Sequence, residues 1–280
     1  MISRLVTIVG LTLNEAARKR VLLAALLMGL AFVALDAVGF HFITRSFHGK
    51  VGAAVHAQAM LASAMFTLAG LYATHMLSAM AAVLLPIDTL SGEIGSGVMQ
   101  TVASKPVRRS EIVLGKWLAY ALVVLAYQAL VAWGVLLVAR LIPHYTPPGL
   151  AQGLPLLALE ALALVTLSIA GGTRLSTVTN GMLAFGLFGL AFIGGWVEQI
   201  GAFSHNDAAR RVGTAVSLAM PTDAMWQMAA HAMQPIGVAQ LLAGPFSPLS
   251  VPNGAMVAWT AGWTVVVLAL ALRGFAKRPL

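Results

Sequence analysis

The chain has 280 residues and lacks cysteine altogether, and only 9% of its residues are charged. Without cysteine there is neither a secreted disulfide scaffold nor a CxxC motif. So little charge excludes an ordinary soluble enzyme, whose hydrated surface brings charged residues to about a quarter of the chain. Phosphate-cradling and hydrolytic signatures are missing too. No GxxxxGK followed by Ser or Thr occurs, nor HExxH, nor a GxSxG nucleophile elbow. Gly92, Gly95 and Gly97 lie close together, but no Lys-Ser/Thr follows them, so they read as turn and packing positions.

What is abundant is apolar residue, 59% of the chain, which also excludes a disordered polymer. A bilayer core of about 30 Å needs about 20 helical residues. Six apolar runs reach that length, at about 21–43, 57–85, 113–142, 154–172, 179–200 and 255–272. They are continuous rather than alternating with period two, so helices are expected and not a barrel.

Basic residues outnumber acidic ones, 17 to 9. They are scattered between the apolar runs and form no aromatic-interleaved patch, so nucleic acid is not an expected partner. An even number of spans puts both termini on one side. Arg4, Arg18, Lys19, Arg20, Lys105, Arg108, Arg109, Lys116, Arg174, Arg273, Lys277 and Arg278 share that side; Arg45, Lys50, Arg140, Arg210 and Arg211 share the other. Twelve against five predicts cytoplasmic termini.

Residues 1–20 fit a cleavable signal peptide poorly, because some twenty residues precede a run long enough to span. Ile2, Leu5, Val6, Val9 and Leu13 fall near one helical face, with charge gathered towards Arg18–Arg20. That pattern predicts an interfacial helix on the inner leaflet.

Two hydrophilic excursions interrupt the spans. Residues 86–116, on the cytoplasmic side, hold Asp88, Glu93, Lys105, Arg108, Arg109, Glu111 and Lys116. A short amphipathic helix is expected over 91–102. Lys105-Pro106 then turns the chain, since proline disfavours helix at the preceding residue. A second helix restarts with Ser110 as N-cap and Glu111 in its first turn. Such a hairpin suits docking to a soluble partner. Residues 201–254, on the outer side, hold five of the twelve prolines and a group of methionines.

Ser91-Gly92-Glu93 with Gly97, Ser104-Lys105-Pro106-Val107 and Arg109-Ser110-Glu111-Ile112-Val113-Leu114-Gly115-Lys116 together resemble the signature of type-2 ABC transporter permeases. The overall plan is similar as well: an N-terminal elbow helix, six spans, and a longer outer segment between the fifth and sixth. Pro221-Thr222-Asp223 begins an expected helix with Thr222 or Asp223 as its cap, and together with Trp226 it resembles the family's outer gate helix. The resemblance implies that residues 86–116 contain the coupling helix that seats on an ATPase. It also implies two permease copies working with two ATPase subunits, which bind ATP and Mg; this chain would hold no cofactor and no catalytic residue. Glu93, Lys105, Pro106, Arg108, Arg109 and Glu111 are then the expected ATPase-coupling contacts. The first and fifth spans are the family's usual dimer seam, which the glycines of the fifth span do not locate here.

Charged groups inside spans are costly and therefore informative. Glu160 falls near the middle of the fourth span. It either faces a central translocation path, or pairs across the bundle with a polar group such as His75 or Gln128, or is held protonated by packing. Asp36 and Glu198 fall near the outer ends of their spans, where solvated boundary charges are expected. Met225, Met228 and His231 recur every three residues in the outer segment. Thioether and imidazole suit Cu(I), yet the same spacing makes a packing stripe, and packing is the expectation, with no metal site.

The sequence therefore predicts an all-α polytopic membrane protein with an elbow helix at 1–20 and a six-span domain at 21–280. Within that domain 86–116 is the coupling hairpin and 201–254 an outer re-entrant segment. The expected function is the permease subunit of an ATP-driven exporter in the inner membrane of a prokaryote, in contact with membrane lipids. The alternative is a non-transporting scaffold or assembly factor that docks a soluble partner through 86–116. A secondary transporter would want midplane ionisable pairs and broken helices in related halves. No local motif names a substrate.

Overall fold

The computed structural model describes residues 2–97, 108–235 and 248–277. Among them are ten helices and no strand: α1 (Ile2–Arg18), α2 (Arg20–Phe47), α3 (Ala53–Leu84), α4 (Ser91–Gly95), α5 (Arg109–Leu141), α6 (Leu150–Gly172), α7 (Thr177–Phe203), α8 (Asp207–Ala219), α9 (Thr222–Met233) and α10 (Ala255–Ala276). Six of these, α2, α3, α5, α6, α7 and α10, are long and apolar enough to cross a membrane. Each run expected from the sequence is a helix, and all six extend further at one end at least, α2 and α7 at both, since the polar flanks continue the turn geometry without needing lipid. Both termini lie at one end of the bundle, here called basal; the other end is distal.

The core is built from α3, α5 and α6, which carry most of the buried side chains, Tyr120, Leu68, Leu71, Ile112, Leu164 and Ile169 among them. In α3, Ser63, Thr67 and Thr74 each donate to the carbonyl four residues back. That satisfies a hydroxyl in an apolar setting without a partner helix. By contrast α2 buries only Gly29, Asp36 and Phe40 and turns Leu23, Leu27, Leu30 and Leu35 outward. Amphipathic α1 lies across the basal part of α5. Gly115 permits the crossing, because a Cβ there would sit 2.6 Å from Ile8 Cγ2.

The distal segment between α7 and α10 is a helical hairpin folded back into the bundle. Helix α8 runs back along α7 in a contact made close by glycines. A Cβ at Gly194 would meet Val216 at 2.5 Å, one at Gly201 the backbone nitrogen of Arg210 at 2.8 Å, and one at Gly213 the Gly194 carbonyl at 2.7 Å. Small residues let helix backbones approach where apolar burial gives no drive of its own. After Met220-Pro221 the chain reverses, and α9 climbs along α6 until Gly149 meets the Ala232 carbonyl. Gly149 has φ +62°, and an added Cβ would lie 2.1 Å from that oxygen, so this corner requires glycine.

A hairpin tip inside an apolar bundle leaves helix-end carbonyls without partners. Two indoles from α10 supply them: Trp259 Nε1 donates to the Leu218 carbonyl at 2.9 Å, and Trp263 Nε1 to the Ala219 carbonyl at 3.1 Å.

Three local expectations are corrected. The helix predicted over 91–102 ends at Gly95, where Gly97 takes φ +77° and closes the last turn. Residues 98–107, with Lys105 and Pro106, lie outside the described residues. Ser110 is not the N-cap of α5: the helix begins at Arg109 with Arg108 as cap, and Glu111 Oε2 accepts from the Arg108 N–H at 3.2 Å. Nor does Thr222 or Asp223 cap α9, where Pro221 holds the cap position and no side chain caps.

Candidate functional site

Two polar assemblies stand out in this apolar bundle. The first lies halfway along it. His75 on α3 and Glu160 on α6 meet at 2.7 Å, Nδ1 to Oε2, each about 2% exposed. The pairing with His75 expected as one possibility for Glu160 is therefore present. Gln128, the other candidate, is buried on α5 and shares no hydrogen bond with Glu160. Trp226 of α9 stacks on the His75 ring at a centroid distance of 5.0 Å and an interplanar angle of 23°, and Tyr72 meets Trp226 edge-on at 5.2 Å.

One turn before Trp226 on α9, Asp223 is buried and its Oδ2 accepts from Gln227 Nε2 at 2.6 Å. Asp223 interacts electrostatically with His75 and Glu160, so the two polar pairs form one group. Its position depends on α7: a Cβ at Gly195 would sit 1.6 Å from Asp223 Oδ2. Between α3, α7 and α9 opens a cavity of about 330 Å³. Asp223 and Gln227 line it together with Tyr72, Phe192, Trp196 and Trp226. At its distal rim, Gln199 grips the chain ahead of α10, accepting from the Leu249 and Ser250 N–H groups and donating to the Ser250 carbonyl.

The second assembly ties the basal excursion to the bundle. Glu93 of α4 pairs with Lys116 of α5 at 2.5 Å, and Lys116 also donates to Thr89 Oγ1 at 3.3 Å. Lys19, in the corner between α1 and α2, pairs with Asp88 at 2.5 Å and lies over the Tyr120 ring. Burial works to lower the Lys19 pKa, but Tyr120 and Asp88 outweigh it and hold the ammonium above its ordinary value. Ser91 reaches Thr177 of α7 at 2.8 Å, and Asn180 Nδ2 donates to the Ser168 and Ile87 carbonyls. The segment 87–93 is thus fastened to α2, α5, α6 and α7.

Of the other expected contact residues, Arg108 is exposed and Arg109 donates to the Ala276 carbonyl at 3.3 Å. Glu111 is buried and spent on capping α5. Asp36 and Glu198 are not solvated. Asp36 is buried against Gly70 of α3, and Glu198 accepts from Ser250 Oγ at 2.8 Å. Depth along a span had suggested water, but the direction each side chain faces around its helix decides. Met225 packs with Met256 and Met228, whereas His231 is exposed beside Gln234. Reasoning from sequence missed Lys19, Asp88, Gly195, Gln227 and the two indoles at the hairpin tip. Lys19 and Asp88 are 69 residues apart, and no local spacing signals such a pair.

Six membrane-length helices around a buried polar centre define a multi-pass membrane protein of the permease class. A family model described as ABC-2 family transporter protein matches residues 6–280. The chain belongs to that family and is a membrane permease of an ABC transporter. Membership implies an ABC ATPase subunit as partner and a transmembrane subunit without an ATPase site of its own. No curated protein matches the sequence.

Proposed function

We propose that this chain is the permease of an exporter driven by ATP hydrolysis in a separate subunit. Two copies pair with two ATPase subunits, which bind ATP and Mg, in the inner membrane of a prokaryote with both termini cytoplasmic. In this reading α1 is the elbow helix and residues 86–116 form the coupling hairpin. The hairpin of α8 and α9 is the outer gate, re-entering from the far side among membrane lipids.

The observation that supports it best is the fastening of segment 87–93. A push on α4 from a closing ATPase dimer meets Lys116 and Glu93 on the α5 side, Lys19 and Asp88 on the α1–α2 side, and Ser91 and Thr177 on the α7 side. Several polar ties acting together at the edge of a packed bundle convert a local push into rigid-body movement of spans. The moving elements lead to the cavity, since α7 and α9 form two of its walls. Glu160 and His75 lie behind Trp226, next to that path.

The test is co-expression with ABC ATPase subunits encoded in the same genome, followed by purification. The complex is expected to form, and its ATP hydrolysis to exceed that of the ATPase alone. Charge reversal at Arg108 and Arg109 together is expected to lower recovery of the ATPase at least fivefold. Full recovery with unchanged hydrolysis would refute the coupling assignment. Capture of a soluble protein with no nucleotide site would favour the scaffold reading instead.

A further inference from the structure

The cavity between α3, α7 and α9 has a composition that selects one ligand chemistry. Its walls are aromatic: Tyr72 from α3, Phe192 and Trp196 from α7, and Trp226 from α9. Its polar floor is Asp223 with Gln227. Among the described residues no lysine, arginine or histidine lines it and no salt bridge reaches Asp223.

Among the described residues no cation contacts this carboxyl group: His75 is paired with Glu160 on the far side of Trp226. The Gln227 amide gives its N–H to Asp223, and its buried Oε1 has no donor among the described residues. The cavity therefore presents the Asp223 carboxyl group beside the electron-rich faces of aromatic rings. Aromatic faces around a carboxylate attract an organic cation, and a desolvated setting strengthens the effect.

We propose that this cavity binds a hydrophobic organic cation, an ammonium or quaternary nitrogen carried on an apolar body, and that such cations are the class of substrate the permease moves. The second half of the statement rests on the exporter reading; the first does not. Apolar volume holds the body, the rings hold the charged centre, and Asp223 supplies the counter-charge. Gly195 is a positioning residue, since only the absence of a side chain there lets Asp223 reach the cavity.

The test uses the purified full-length chain in detergent with two probes of matched shape and opposite charge, tetraphenylphosphonium and tetraphenylborate. Binding is measured by equilibrium dialysis as the saturable part above empty micelles. The phosphonium is expected to saturate at one site per chain, and the borate to show no saturable binding. Asp223→Asn should weaken the phosphonium at least tenfold. Trp196→Leu, at a partly exposed position that should leave the fold intact, should weaken it about threefold or more. Equal binding of the two probes, or no saturable phosphonium binding, overturns the site, as does unchanged affinity in both variants. Addition of the phosphonium to the permease–ATPase complex separates the two readings. Saturable binding to the chain without an active ATPase complex keeps the site and removes the transport claim. An active complex without saturable binding keeps the exporter reading and removes the cation site and its substrate class.

Discussion

The polar groups at the middle of the bundle and those at its basal edge solve different problems. At the edge, Lys19 and Asp88 join flexible side chains in partial contact with solvent, 18% and 48% exposed. In the middle, His75 and Glu160 have almost no exposure and no water to fall back on. An edge pair that breaks is rehydrated; a central pair that breaks strands a polar group in an apolar medium. The same residue types therefore serve as adjustable ties in one place and as a fixed centre in the other.

The sharpest way to break this contrast is at the centre. His75→Leu leaves Glu160 buried without its partner and is expected to lower stability by about 3–5 kcal/mol, read as unfolding of the purified protein in detergent. Replacing both residues with leucine should recover most of the loss. If the double variant is no more stable than the single one, the pair is not the reason.

Gly195→Ala comes next. The new methyl group collides with Asp223, so α7 and α9 must separate; about 1–3 kcal/mol is expected, together with weaker phosphonium binding. Stability and binding both at the level of the parent protein would show that Asp223 does not depend on this close approach.

A smaller effect belongs to the hairpin tip. Trp263→Phe removes the donor to the Ala219 carbonyl while keeping most of the ring volume. About 1 kcal/mol should be lost, with faster amide exchange in 214–224 as the specific signature.

The smallest effect on stability is expected at the edge, where Lys19→Met should cost about 1 kcal/mol or less. Its expected consequence is in ATPase stimulation, because the tie between segment 87–93 and the α1–α2 corner is gone. A large loss of stability in this variant would erase the contrast between edge and centre.

How much could be read without coordinates follows from the kind of signal. The six spans were legible because twenty apolar residues in a row have only one inexpensive solution in lipid. Glu160 declared itself by its cost, and His75 was named as one of its possible partners. Asp36 and Glu198 were misread, since position along a helix indicates depth but not which neighbour the side chain faces. Ser110 looked like a cap by residue type; Arg108 took that position because Glu111 can reach back to its N–H. Gly195 carried no signal at all, one glycine in an apolar run.

The sequence by itself determined the solvent and the number of spans. Each of these depends on local composition and on the order of residues, which are one-dimensional quantities. Only the tertiary structure decided that the distal hairpin folds back to mid-bundle, that its tip is satisfied by Trp259 and Trp263, and that Asp223 joins five aromatic side chains at one cavity. Those facts rest on contacts between residues tens to more than a hundred positions apart. Such contacts are set by the packing of whole helices, which no short stretch of the chain encodes alone.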